Sequence, residues 1–183
     1  MSDVVNSIYC VDTSCFRELA RHYPTAIFPG VYHEFERLVE QGQLFTIEDV
    51  LEDYIEPEVK QWIKTRCPTC IARKDQSVVD CLTEIMAAHP DFVEHSKTTS
   101  DSDQPLVALA LALSRSTRST IVVVTQETKR GPAATEMKIP DACESYGIKC
   151  VNLLRMMGAE GWEFKRNPPD NAGGAAGMQG KLF

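Results

Sequence analysis

Two short apolar runs without polar alternation set the strongest limit on how this chain can fold. Ile8-Tyr9-Cys10-Val11 and Ile121-Val122-Val123-Val124 place apolar side chains at successive positions. Side chains of a strand point alternately to its two faces, so strands built from these runs bury both faces. That is the pattern of a parallel sheet covered by helices, and parallel neighbours need long, usually helical, crossovers. The spacing therefore predicts a single α/β domain with a mostly parallel sheet of about four to five strands flanked by helices.

The pass along the chain fills in this outline. Ser7 to Val11 reads as the first strand, with Thr13-Ser14 as a capping pair for a helix from about Cys15 to Tyr23, stopped by Pro24. Phe28-Pro29-Gly30 turns into a helix from Val31 to Glu40, and Leu44 to Ile47 reads as a short strand. Glu48-Asp49 suit the first turn of a helix carrying Val50, Leu51, Tyr54 and Ile55. Further helices are expected from Pro57 to Arg66 and from about Gln76 to His89. Residues 94–102 are polar and read as a loop. Leu106 to Leu113 is apolar nearly all round, the mark of a central helix. A buried strand Thr120 to Thr125, a helix Asp141 to Tyr146 ended by Gly147, and a last strand Ile148 to Leu153 complete the domain. The domain is expected over residues 1–166, and 167–183 lack the apolar content to fold.

Composition narrows the class. A chain of 183 residues suits one core. The net charge of -7 gives no overall basic surface for nucleic acid. Local basic patches remain at Lys60, Lys64 and Arg66, at Arg73 and Lys74, at Arg115 and Arg118, and at Lys129 and Arg130, each equally readable as a solvated face. No apolar stretch approaches the roughly 20 residues of a membrane span. Met1-Ser2-Asp3 lacks the basic start of a signal peptide, so the seven cysteines are expected as reduced thiols in a cytoplasmic protein. Cys67-Pro-Thr-Cys70 has the spacing of half a zinc site, which would need Cys81 and His89 or His95 to complete it.

The positions of the acids carry the chemistry. Asp12 closes the first apolar run and Glu127 follows the second; Asp103 opens the Ala/Leu-rich helix and Asp141 the helix after Ile139-Pro140. Each has a bland reading as a helix cap. Together they fall where open α/β sheets bind ligands, outside the carboxyl ends of the strands. Carboxylates crowded there repel one another, and a hard divalent cation keeps them ionised.

On these residues the chain resembles the PIN-domain ribonucleases. Tyr9-Cys-Val-Asp12-Thr-Ser is similar to their opening motif, and Asp103-Gln-Pro-Leu-Val-Ala-Leu-Ala to their third-acid helix. Val123-Val-Thr-Gln-Glu127 and Lys138-Ile-Pro-Asp141-Ala-Cys resemble the last strand, acid and helix of one PIN-like branch of unknown function. Phe28-Pro-Gly, Gln41-Gly42, Val50-Leu-Glu-Asp53 and Trp62-Ile-Lys share that branch's spacing, so the resemblance runs from about Tyr9 to Phe164. The family's second acid is usually glutamate. Here its position holds Asp53, with Glu52 beside it and Glu36 on an earlier helix as alternatives. The resemblance implies hydrolysis of RNA phosphodiester bonds, with Asp12, Asp53, Asp103, Glu127 and Asp141 as catalytic, metal-binding residues for Mg2+ or Mn2+. It also implies an RNA substrate, an antitoxin protein as partner if the chain is the toxin of a toxin–antitoxin pair, and a homodimer. Two other classes stay open: a catalytically inactive PIN-like binding or regulatory module, and a zinc-stabilised interaction domain.

Overall fold

The structure is a computed structural model, and it describes residues 6–92, 102–131 and 136–163. Its elements are β1 (Ser7–Val11), α1 (Thr13–His22), α2 (Pro29–Glu40), β2 (Leu44–Ile47), α3 (Pro57–Arg66), β3 (Ile71–Ala72), α4 (Gln76–Ala88), α5 (Asp103–Ser116), β4 (Thr120–Val124), α6 (Ile139–Ser145), β5 (Lys149–Val151) and α7 (Leu153–Ala159). One sheet runs in the order β3-β2-β1-β4-β5, with every pairing parallel. This is the α/β single domain expected, and it is consistent with a PIN-like architecture.

The two apolar runs become the central pair. β1 and β4 align residue for residue from Ser7 opposite Thr120 to Val11 opposite Val124. Cys10, Val11, Val123 and Val124 are fully buried, as strands covered on both faces require. The chain leaves β1 toward β2 on one side, and later returns to β4 on the other. The carboxyl ends of β1 and β4 thus form a topological switch point, where a crevice opens. The Asp12 amide donates to the Val124 carbonyl at 2.9 Å, which locks the residue after β1 to the end of β4.

α5 is the central helix the composition predicts. Leu106, Val107, Ala108 and Ala110 are fully buried, and α5 packs against α4, α6 and the sheet. At its start Gln104 donates its side-chain amide to the Phe92 carbonyl. On the other face of the sheet Phe35 makes edge contacts with Trp62 and Trp162.

Three expectations are corrected. Glu48 begins only a four-residue 3-10 turn, Glu48–Leu51, and not a helix reaching Ile55. Glu56 is held extended before Pro57, as the residue before proline prefers, so helix resumes only at Pro57. β3, with two residues, is too short to show a period and adds a strand to the sequence outline. α7 takes the end of the expected last strand: the Asn152 side chain accepts from the Arg155 amide at 2.9 Å, and Leu153, Met156 and Met157 bury one helical face. The expected loop over 94–101 and the tail from 167 lie outside the described residues. No helix among the described residues is long and apolar enough to cross a membrane.

Candidate metal centre

Asp12 sits at the switch point because β1 ends there. Its side chain is buried, 3% exposed, among hydroxyl groups. Oδ2 accepts from the Thr125 hydroxyl at 2.8 Å, from the Ser14 amide at 3.3 Å and from the Ser14 hydroxyl. Asp12 is therefore the cap of α1 and a pocket residue at once; the two readings of the sequence are not alternatives. Burial pushes its carboxyl above the usual range, and the donors from Ser14 and Thr125 pull it partly back. The neighbouring Cys15 thiol is raised well above its ordinary value by burial and then by the Asp12 charge. It donates to the Val124 carbonyl at 3.2 Å.

Asp53 arrives from the irregular segment after the 3-10 turn. Its Oδ2 accepts from the Thr13 hydroxyl at 2.8 Å and from the Ser102 hydroxyl, while Lys60 Nζ donates to its carbonyl oxygen at 3.1 Å. Asp103 opens α5 directly after Ser102. Glu127 follows β4: its amide donates to Thr125 Oγ1 at 3.1 Å, and its Oε2 accepts from the Ile139 amide at 3.1 Å, at the start of α6. The Gln126 amide donates to Ser14 Oγ at 2.9 Å, closing a hydroxyl-centred net around the pocket floor.

Asp12, Asp53, Asp103 and Glu127 line one cavity of about 230 Å³, together with Thr13, Ser14, Arg17 and Tyr54. Asp141 is not among its lining residues. Its Oδ2 accepts from the Lys138 amide at 3.2 Å and the Arg130 amide at 3.1 Å, so it serves the N-terminus of α6 and the loop before it. Of the alternatives for the second acid, Glu36 is tied to Trp62 Nε1 at 2.9 Å and to the Arg66 guanidinium, which holds its carboxyl below the usual range. Glu52 is exposed beside a different cavity, with Glu48, Asp49 and Lys74. Only Asp53 joins the other three. Arg17 and Tyr54 escaped the sequence reading. Arg17 lies one helical turn beyond Thr13, a spacing that puts both on one face of α1.

The donor set suits a hard cation, because every acid offers oxygen and no sulfur or imidazole lines the cavity. Among the described residues, no group of three or more His, Cys, Asp or Glu is arranged to hold a metal ion directly. Mg2+ characteristically retains several waters and takes one or two carboxylates beside substrate phosphates. Cys67 and Cys70 are buried free thiols at a 3-10 turn, each pushed up to about 12 chiefly by burial. Cys81 takes a contact from Arg115 at 3.6 Å, and His89 packs edge-on against Tyr146. His95 lies outside the described residues.

A larger cavity, about 630 Å³, opens beside the acidic one and shares Glu127 with it. Lys129, Lys149, Asn152 and Arg155 are among its walls, with Lys129 paired to Glu144 at 2.7 Å. The chain matches the model of one protein family, a domain of unknown function (DUF4411), over residues 9–164. No curated protein matches it.

Proposed function

The chain belongs to that family of unknown function, DUF4411, and we propose that it is a PIN-like, metal-dependent ribonuclease. The observation that carries the reading is the convergence of Asp12, Asp53, Asp103 and Glu127 on one cavity at the sheet's switch point. These residues come from four separate parts of the chain. A cavity lined by acids with no histidine, cysteine or lysine among its lining residues suits phosphoryl chemistry assisted by a cation better than nucleophilic catalysis by a side chain. The sequence resemblance supplies RNA as the substrate class.

Asp12, Asp53, Asp103 and Glu127 would hold Mg2+ or Mn2+, which when bound supplies a water acidic enough to ionise near neutral pH and neutralises charge developing on the phosphate. The protein's own part is to fix the carboxylates. Ser14 and Thr125 aim Asp12, Thr13 and Ser102 aim Asp53, and the Ile139 amide holds Glu127. Such hydrogen bonds orient ligands and tune their basicity. Asp141 belongs to this reading as a helix cap and not as a ligand. The adjoining larger cavity gives the flanking strand a place to lie, with Lys149 and Arg155 as contacts for its phosphates.

The same resemblance extends the proposal to a toxin of a toxin–antitoxin pair acting in the cytoplasm, whose antitoxin would block the acidic pocket. A second reading, an inactive binding or regulatory module, is favoured by the lack of a directly coordinating group among the described residues. Titration calorimetry with Mn2+ and Mg2+ separates the two. The nuclease reading requires saturable binding by the wild type that is weakened at least tenfold in Asp103→Asn. A folded wild type that binds neither ion supports the inactive module.

A further inference from the structure

Among the side chains lining the acidic cavity, one is a cation. Arg17 reaches the cavity from α1, and its Nε is buried with no hydrogen-bond partner among the described residues. A buried donor left unpaired costs stability, and carboxylates line the same cavity, yet Arg17 is paired with none of them. A second lining residue outside the net of hydroxyls and carboxylates is Tyr54. It follows Asp53, lines the same cavity, and is 69% exposed. Scattered exposed aromatics are ordinary; this one stands at the rim of the pocket, one residue from a carboxylate held by Thr13 and Ser102.

We propose that Arg17 and Tyr54 form a nucleotide subsite at the mouth of the acidic cavity, so that the substrate is a single-stranded polynucleotide. Arg17, which pairs with none of the carboxylates beside it, donates its terminal guanidinium N–H groups to a non-bridging oxygen of the backbone phosphate, to which its charge and fork of donors suit it. Tyr54 stacks on the adjacent unpaired base. Bases in a duplex are stacked on one another and offer no face to a side chain, whereas splayed single strands do. This inference rests on the ribonuclease reading for its substrate class, but it concerns binding and not the cleavage step.

The test is fluorescence anisotropy with a labelled 12-mer of single-stranded RNA in Mg2+, in an Asp103→Asn background that stops cleavage. Single-stranded DNA and duplex RNA of the same sequence serve as competitors. Arg17→Met should weaken RNA binding about tenfold or more, and Arg17→Lys should recover part of it. Tyr54→Ala should weaken it by about 5- to 100-fold, the usual effect of one stacked base, with Tyr54→Trp close to the parent. Duplex should compete poorly and be indifferent to Tyr54→Ala. DNA competing as well as RNA would place recognition in phosphate and base alone, as the subsite requires. In parallel calorimetry, Mg2+ affinity should not fall in Arg17→Met, since a cation has been removed from an acidic pocket. Unchanged RNA affinity in Arg17→Met or Tyr54→Ala overturns the proposal, as do weakened metal binding in Arg17→Met, equal competition by duplex, or no binding of any strand. If single strands bind with the expected dependence but the wild type never cuts, the subsite stands and the ribonuclease reading falls.

Discussion

Replacing Thr125 by valine keeps shape and removes one hydroxyl. In the wild type that hydroxyl donates to Asp12 at 2.8 Å and accepts from the Glu127 amide at 3.1 Å, in a position 1% exposed to solvent. A hydrogen bond to a charged group contributes roughly 1.5–3 kcal/mol, and a donor left unpaired adds to the loss. For a domain of this size about 1 kcal/mol moves Tm by about 2–4 °C, so Thr125→Val should lower Tm by roughly 3–12 °C at neutral pH. The dependence on pH follows from the state of Asp12. Its folded carboxyl lies above the ordinary 3.8, so the folded protein holds that proton more tightly than the unfolded chain. Asp12 therefore removes stability as pH rises from about 4 through its folded value, and the loss is complete above it. The Thr125 hydroxyl favours the ionised form and limits that loss. The cost of Thr125→Val should thus be smaller at pH 4 than at pH 7.5, growing as Asp12 ionises. Urea denaturation at both pH values, in wild-type and Asp12→Ala backgrounds, checks the argument. A cost that is equal at the two pH values, or undiminished without Asp12, would refute the charge-assisted bond.

The other expectations are simpler to read. Asp12→Asn should melt above the metal-free wild type at neutral pH, with the gap closing toward pH 4; a variant that melts lower at pH 7.5 would contradict the cost of burying this carboxylate. Mg2+ at one hundred times its dissociation constant should stabilise the wild type by about 2.7 kcal/mol, and Asp12→Asn or Asp103→Asn far less, read by thermal denaturation. Asp141→Ala should cost about 1 kcal/mol or more by removing the acceptor of the Lys138 and Arg130 amides while leaving calorimetric metal affinity unchanged. Leu106→Ala, at a fully buried point on α5, should cost about 2–5 kcal/mol in urea unfolding.

The sheet was legible because its central strands are long enough and apolar enough to exclude other readings. Ser7–Val11 and Thr120–Val124 declare burial on both faces, and α5 declares its central place by lacking a polar side. What stayed hidden was decided by contacts or by length. β3 has two residues, and Leu153 continues the apolar run of β5 although the Asn152 cap makes it the first residue of α7. Among the acids, position after a strand singled out Asp12 and Glu127. Asp141 has the same local signature as Asp103, and only the tertiary fold separates a pocket residue from a cap. The choice of Asp53 over Glu52 and Glu36 likewise needed the path of the chain after the 3-10 turn. Arg17 could have been found one turn beyond Thr13, but nothing local distinguishes it from Arg21, which pairs with Glu56 at 3.7 Å.

The most direct test of the ribonuclease claim is cleavage of a mixed panel of structured and single-stranded RNAs in Mn2+ or Mg2+. Wild type would be compared with Asp12→Asn and Asp103→Asn, with folding checked by circular dichroism. The account predicts that the wild type cuts, that chelation stops it, and that both folded variants are inactive. Cleavage that survives in both variants would contradict it, since the activity would then lie outside the acidic cavity.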